Sequence, residues 1–274
     1  MIYFCADDYG LNDISSMHIK QCVDEGALNK VSVFPNFENV GDLSENIRLS
    51  LHLNLVEGKC MANEGEIDLL ADKDGNFKHT FGGLLKLNLF HGKKLEAQVY
   101  REIKAQVMAW KNMADIPFCV DSHQHTHMIP AVFNALLKVL DDEKISLEYM
   151  RIPREPILPY IKTPSLYFTY SPINIAKQWL LNFLWLINKQ KRKDIPTAYF
   201  FGILFSGKMD EKRVSKILPK YIKMAEKNGR DVEVLFHPGY TDKCKDTVFN
   251  KFYLSENRKT EFDSVMKLKE RSVL

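Results

Sequence analysis

Short runs rich in β-branched and aromatic residues alternate along this chain with longer stretches of helical periodicity. That alternation restricts the fold more than any other feature. Residues 2–6, 31–34, 48–55, 118–121, 147–152, 198–201 and 232–236 read as strands, and 13–25, 95–114, 130–142, 173–187 and 212–227 as helices, with a last helix ending the chain. A strand followed by a helix followed by a strand demands a crossover, so the strands are parallel and the class is α/β. The expected architecture is a single (β/α) barrel over residues 1–274, TIM-like, distorted or incomplete. Its 274 residues suit one such domain. An open doubly wound sheet is the rival, but no Gly-rich dinucleotide loop follows the first strand. Residues 59–92 read as an irregular excursion with a turn at Asp72-Lys73-Asp74-Gly75, and 153–171 as a proline-rich ordered loop.

Composition removes several function classes. Lys and Arg number 38 against 35 Asp and Glu, a net charge of +3, which carries no nucleic-acid signal. Cys5, Cys22, Cys60, Cys119 and Cys244 are odd in number, scattered and without a C-x-x-C pair. This argues against a disulfide framework or a zinc knuckle and for a reducing, cytoplasmic setting. The chain opens directly on a strand-like run, so no export signal is expected. The apolar helix 173–187 is too short to span a bilayer; it is expected to dock on the barrel, at a homodimer face, or against a membrane surface.

The polar residues fall where chemistry on a barrel needs them. Asp7-Asp8 ends the first strand, His52 closes the third, Asp121-Ser122-His123 ends the middle one and His237-Pro238-Gly239 a late one. Parallel barrel strands open their C-termini onto one face, so these residues should converge. Two adjacent acids after an apolar run are costly to desolvate unless a cation relieves them, and neighbours on a strand point opposite ways, so they should do different jobs. In extended conformation His123, His125 and His127 share one side, an arrangement natural for imidazoles kept neutral by a metal. An Asp-His-His set leaves coordination positions open for water and substrate. His237 suits a general acid. Arg151, ending another strand, is placed to hold Asp7 ionised, or is a structural arginine.

Ala6-Asp7-Asp8-Tyr9-Gly10, His52-Leu53-Asn54-Leu55, Asp121-Ser122-His123-Gln124-His125-Thr126-His127, Arg151-Ile152-Pro153-Arg154 and His237-Pro238-Gly239-Tyr240 together resemble the YdjC-like carbohydrate deacetylases, in order and over nearly the whole chain. The resemblance implies a barrel related to polysaccharide deacetylases and a divalent metal, Mg²⁺ or Zn²⁺. It implies Asp8, His52 and His123 as metal ligands, Asp7 as catalytic base and His237 as catalytic acid, with Arg151 beside them. The substrate-binding residues expected are Tyr9, Asn54, His125 and His127, and the partner is a small carbohydrate. Cys5 stands where the family usually has Asn. The implied reaction is hydrolysis of the N-acetyl group of a chito-oligosaccharide or related amino sugar. The alternatives are deacetylation of a glycolipid such as an acetylglucosaminyl hopanoid, a metallophosphoesterase or amidohydrolase, and a non-catalytic sugar-binding protein.

Overall fold

Strands buried on both faces need helices on the outside of the sheet, and among the described residues a helix follows every strand except the second. The computed structural model describes residues 1–36, 43, 47–113, 116–239 and 256–270. Its strands are β1 (Ile2–Tyr9), β2 (Lys30–Val33), β3 (Arg48–Leu53), β4 (Phe118–Ser122), β5 (Leu147–Met150), β6 (Tyr199–Phe201) and β7 (Val232–Phe236). All pair in parallel, in the order β5-β4-β3-β2-β1-β7-β6. Among the described residues the edge strands β5 and β6 do not pair. Instead the Met150 amide donates to the Pro196 carbonyl at 2.9 Å, just ahead of β6. The fold is therefore α/β, an incomplete (β/α) barrel, as the alternation predicts.

The helices are α1 (Asp13–Asp24), α2 (Phe81–Met113), α3 (Pro130–Asp142), α4 (Leu158–Ile161), α5 (Pro172–Asn188), α6 (Glu211–Asn228) and α7 (Glu256–Glu270). Local chemistry sets their ends. Asn12 caps α1 by accepting from the Ser15 amide, Asp210 caps α6 through the Arg213 amide, and Gly229 closes α6 in the left-handed region. One buried apolar cluster draws side chains from Phe4 on β1 through to Leu268 on α7.

Two expectations change. The helix expected from 95 begins at Phe81, with a kink at His91 (φ −135°, ψ 29°). Gly82, Gly83 and Gly92 are poor helix formers and hide this first third. The loop expected over 153–171 holds α4 and a 3₁₀ turn, Pro164–Thr169. Proline at the start of each turn reads as a breaker in sequence, yet it costs nothing at a helix N-terminus.

Candidate metal centre and active site

β1 pairs with β2 in register at Ala6↔Val31, then slips before Tyr9↔Val33. Within that irregularity Asp8 adopts φ 75°, a left-handed conformation that aspartate tolerates better than most residues. The bulge cancels the strand alternation. Asp7 and Asp8, expected to point opposite ways, both line one pocket of about 450 Å³. Each still meets different partners.

Asp8 meets the histidines. Its Oδ1 lies 3.0 Å from His123 Nδ1 and 3.5 Å from His52 Nε2. One ligand atom from each of Asp8, His52 and His123 falls within 4.8 Å of the others, and all three residues are buried. Phe34 packs against both rings, edge-on to His52 at 4.8 Å and tilted to His123 at 5.1 Å. The other Asp8 oxygen, Oδ2, accepts from Arg258 at 2.6 Å. Burial raises the Asp8 pKa, but Arg258 and His123 outweigh it and hold the carboxyl well below its usual range.

Asp7 meets arginine. Arg151 donates from Nη1 to Asp7 Oδ2 at 2.6 Å and from Nη2 to Oδ1 at 2.8 Å, a two-pronged pair. Burial opposes ionisation of Asp7; Arg151 and His52 overcome it and hold the carboxyl far below its usual range. Arg151 is fixed in turn by Glu233, which it reaches from Nε at 2.9 Å and from Nη2 at 2.7 Å. Lys30 reaches Glu233 at 2.9 Å and Tyr149 donates its hydroxyl to the same carboxylate. Despite full burial, Arg151 and Lys30 draw Glu233 down to about 2. Asp121 completes the frame: it takes the Ser32 hydroxyl on Oδ2 at 2.7 Å and sits 2.6 Å from His52 Nδ1 through Oδ1.

The donor chemistry fits a divalent cation. Asp8 Oδ1 and His52 Nε2 are fully buried and neither completes a hydrogen bond, an expense proteins seldom leave uncompensated. His52 shows the carboxylate–histidine support usual behind a metal ligand, with Asp121 at the far nitrogen. Four buried carboxylates (Asp7, Asp8, Asp121 and Glu233) face three fixed cations (Lys30, Arg151 and Arg258). Burial alone would depress the pKa of His52, but Asp7, Asp121 and Asp8 drive it up to about 10. A proton there supplies positive charge to a site that calls for it; a metal ion would take its place.

The segment after β4 departs from expectation. Residues His123–Met128 coil into a 3₁₀ turn with Gln124 (φ 52°) and His125 (φ 57°) left-handed, so the three histidines do not share one side. His123 joins Asp8. His125 lines the pocket edge-on to Phe200, its Nδ1 buried and without a hydrogen bond; burial and Arg151 push its pKa well below the usual range, so it is neutral. His127 turns inward. Its Nδ1 takes the Ser122 hydroxyl at 2.5 Å and its Nε2 meets the Arg151 carbonyl at 2.8 Å, which leaves no ring nitrogen for a sugar. Burial brings His127 down to about 4.

Two more expected sugar contacts are engaged elsewhere. Asn54 folds its own loop: it donates to the Glu57 carbonyl at 2.6 Å and accepts from the Val56 and Glu57 amides. Tyr9 is 2% exposed, packed in the core cluster. Both lie back from the pocket wall because the loop after β3 and the slip in β1 turn these side chains into the protein.

His237, directly after β7, lines the same pocket as Asp8. Glu261 fixes it, accepting from the His237 amide at 2.6 Å, lying 3.2 Å from Nδ1, and holding the Gly207 amide with its other oxygen at 2.8 Å. Gly239 has φ +156°, and a Cβ there would stand 2.6 Å from Ser15 Oγ, so only glycine follows His237-Pro238. Tyr240 of this motif, and Cys244, lie outside the described residues. Arg258 and Glu261 both come from α7 and were not anticipated. The signal was there: on α7 the buried stripe is Arg258, Glu261, Val265 and Leu268, at spacings of three, four and three. Charged side chains on the apolar stripe of a helix mark a buried polar site rather than a solvated face.

The sequence model of the YdjC-like protein family matches residues 1–274. A carbohydrate deacetylase of Danio rerio is 30% identical over 160 residues, 56% of this chain and 50% of that protein. A carbohydrate deacetylase of Xenopus laevis is 28% identical over 155 residues, 54% and 49% of the two chains. One from Clostridium beijerinckii is 22% identical over 187 residues, 65% and 73%. The chain thus spans about half the length of the two vertebrate relatives. Among solved structures, a protein from Enterococcus faecalis described as acting in cellobiose-phosphate cleavage superposes with a TM-score of 0.69 at 15% identity, over 98% of this chain and 92% of that one. The fold is shared at that distance, and the match over the full sequence establishes that the chain belongs to the YdjC-like family.

Proposed function

We propose that this chain is a metal-dependent hydrolase that removes the N-acetyl group from an N-acetylated carbohydrate, a chito-oligosaccharide or related amino sugar, and releases acetate. The reading rests on one observation: Asp8, His52 and His123 converge beside an arginine-held Asp7, on the pocket that also carries a glutamate-held His237. Relatives named carbohydrate deacetylase support the same chemistry.

Asp8, His52 and His123 would hold the metal. Two imidazoles and one carboxylate suit Zn²⁺ better than Mg²⁺. When bound, the ion would supply Lewis acidity that polarises the acetamide oxygen and acidifies water. Asp7 takes one proton from the attacking water, whose oxygen bonds to the acetamide carbon. Arg151 is the positioning residue that keeps Asp7 ionised and aimed. The carbon–nitrogen bond breaks as His237 gives its proton to the departing amine. With Nδ1 beside Glu261, the proton given is the one on Nε2. The neutral His125 and the apolar ring of Phe81 line the same pocket and would shape the sugar subsite. The free thiols Cys5, Cys22, Cys60 and Cys119 agree with work in the cytoplasm.

The test is acetate release from N,N′-diacetylchitobiose by the purified chain with Zn²⁺ or Mg²⁺ added, before and after EDTA. Asp8→Ala and His123→Ala should lose bound metal and activity together. Full activity in either variant, or in EDTA, refutes the assignment.

A further inference from the structure

Between Glu155 and Asp194 the chain carries six basic residues and no acidic one. The same stretch holds eleven of the eighteen large hydrophobic side chains exposed among the described residues. On α5, Asn174, Gln178, Leu181, Leu184 and Asn188 are buried and seat the helix on the barrel. Its other face carries Ile175, Trp179, Phe183 and Leu186, spaced four, four and three apart in one stripe, with Trp179 66% and Phe183 58% exposed. Phe168, on the turn before α5, is wholly exposed. Scattered apolar residues need no explanation, but a stripe of this size on one element does.

The charge says what covers it. The cations are Lys162, Lys177, Lys189, Lys191, Arg192 and Lys193. Among the described residues only Arg192 meets a carboxylate, Asp141 at 3.6 Å. A second copy docking by two-fold symmetry would set these cations against themselves, with no acid in the stretch to offset them. An anionic lipid surface matches both features: the acyl boundary takes Trp179, Phe183 and Phe168, and the headgroups take the lysines clustered after α5. No helix of the described residues is long and apolar enough to cross a membrane, so α5 would lie in the plane of the surface.

We propose that the outer face of α5, with the turns that precede it, docks this protein on an anionic lipid bilayer. The inner side of the same helix borders the pocket through Lys177, Leu180 and Leu181, so docking holds the pocket mouth beside the lipid. The proposal stands apart from the reaction assigned to the site.

The test uses the full chain and vesicles of phosphatidylcholine, with and without phosphatidylglycerol, read by co-sedimentation and tryptophan emission. Trp110 is buried and Trp185 half-buried, so a blue shift reports Trp179. The wild type should bind the phosphatidylglycerol vesicles with a blue shift, and binding should weaken as salt rises. Trp179→Ser/Phe183→Ser and Lys189→Glu/Lys191→Glu/Lys193→Glu should each weaken it by about tenfold or more while keeping the wild-type circular dichroism. No binding to phosphatidylglycerol vesicles at low salt overturns the proposal, as does equal binding by the serine variant. A dimer in light scattering that the serine variant abolishes, without vesicle binding, assigns the face to a second copy and overturns it equally. Acetate release from a soluble sugar is read separately, so failure of one reading leaves the other standing.

Discussion

Glu233→Gln isolates the frame behind the active site. Glu233 never touches the pocket, yet it accepts two bonds from Arg151 and one from Lys30, all fully buried. Its pKa falls to about 2 from an ordinary 4.5. A depressed carboxylate contributes stability above its unfolded pKa and loses it as pH falls through the folded one, so the window here runs from about 4.5 down to about 2. The shift is worth about 3 kcal/mol at pH 7 and about 1 kcal/mol at pH 3. Removing the charge also leaves Arg151 and Lys30 short of a partner, which puts the total cost at pH 7 at about 3–5 kcal/mol. Urea unfolding of wild type and variant, at pH 7 and again at pH 3, reads the difference directly. The gap between the two proteins should shrink by about 2 kcal/mol at the lower pH. A gap at pH 7 below about 0.5 kcal/mol, or one that does not shrink, would mean that Glu233 is not held ionised by these cations, and the argument would fail. The folded fraction of the variant should also lose activity, because Arg151 relaxes away from Asp7.

Three further outcomes follow from the same geometry. Asp8→Asn keeps a hydrogen bond from Arg258 but removes the carboxylate facing His52 and His123, so metal content by atomic emission should fall sharply, and the melting temperature should fall too because buried Arg258 loses its countercharge; retained metal would place the ion elsewhere. Glu261→Gln frees His237 to rotate, and kcat should drop with KM nearly unchanged, by less than the roughly 10²–10⁴-fold that removing a general acid costs; a change confined to KM would make Glu261 a substrate contact instead. Gly202→Ala places a Cβ 2.8 Å from the Leu235 Cβ inside the barrel. It should cost about 1–3 kcal/mol in urea unfolding, and a neutral result would show that β7 yields to crowding.

The periodic features were legible. Seven strands and their order along the chain follow from apolar runs, and a parallel barrel sends every strand end to one face, so Asp8, His52 and His123 could be gathered from residues 8, 52 and 123 without coordinates. What failed were arguments that assumed a regular backbone. Alternation sent Asp7 and Asp8 to opposite sides until the slip in β1 and φ 75° at Asp8 brought both into the pocket. An extended chain aligned His123, His125 and His127 until two left-handed residues coiled it. Neither event could be placed from sequence: aspartate and histidine tolerate the left-handed region better than most residues, but tolerance does not say where surrounding contacts will impose it.

The residues missed share a different cause. Lys30, Glu233, Arg258 and Glu261 are charged side chains on elements that otherwise read as ordinary strand or surface helix, and their burial depends on partners distant in sequence, from 24 residues away for Glu261 and His237 to 250 for Arg258 and Asp8. A charge is tolerated there only because the set is nearly balanced, so no one of them is interpretable alone. Arg258 on the last helix makes sense once Asp8 is known to be a buried carboxylate whose Oδ2 needs a partner, and Asp8 is tolerable once Arg258 and a cation are counted. The site is therefore one electrostatic unit. The sequence reader recovers the members that face the pocket, while those that neutralise them from behind emerge only when the barrel brings them into contact.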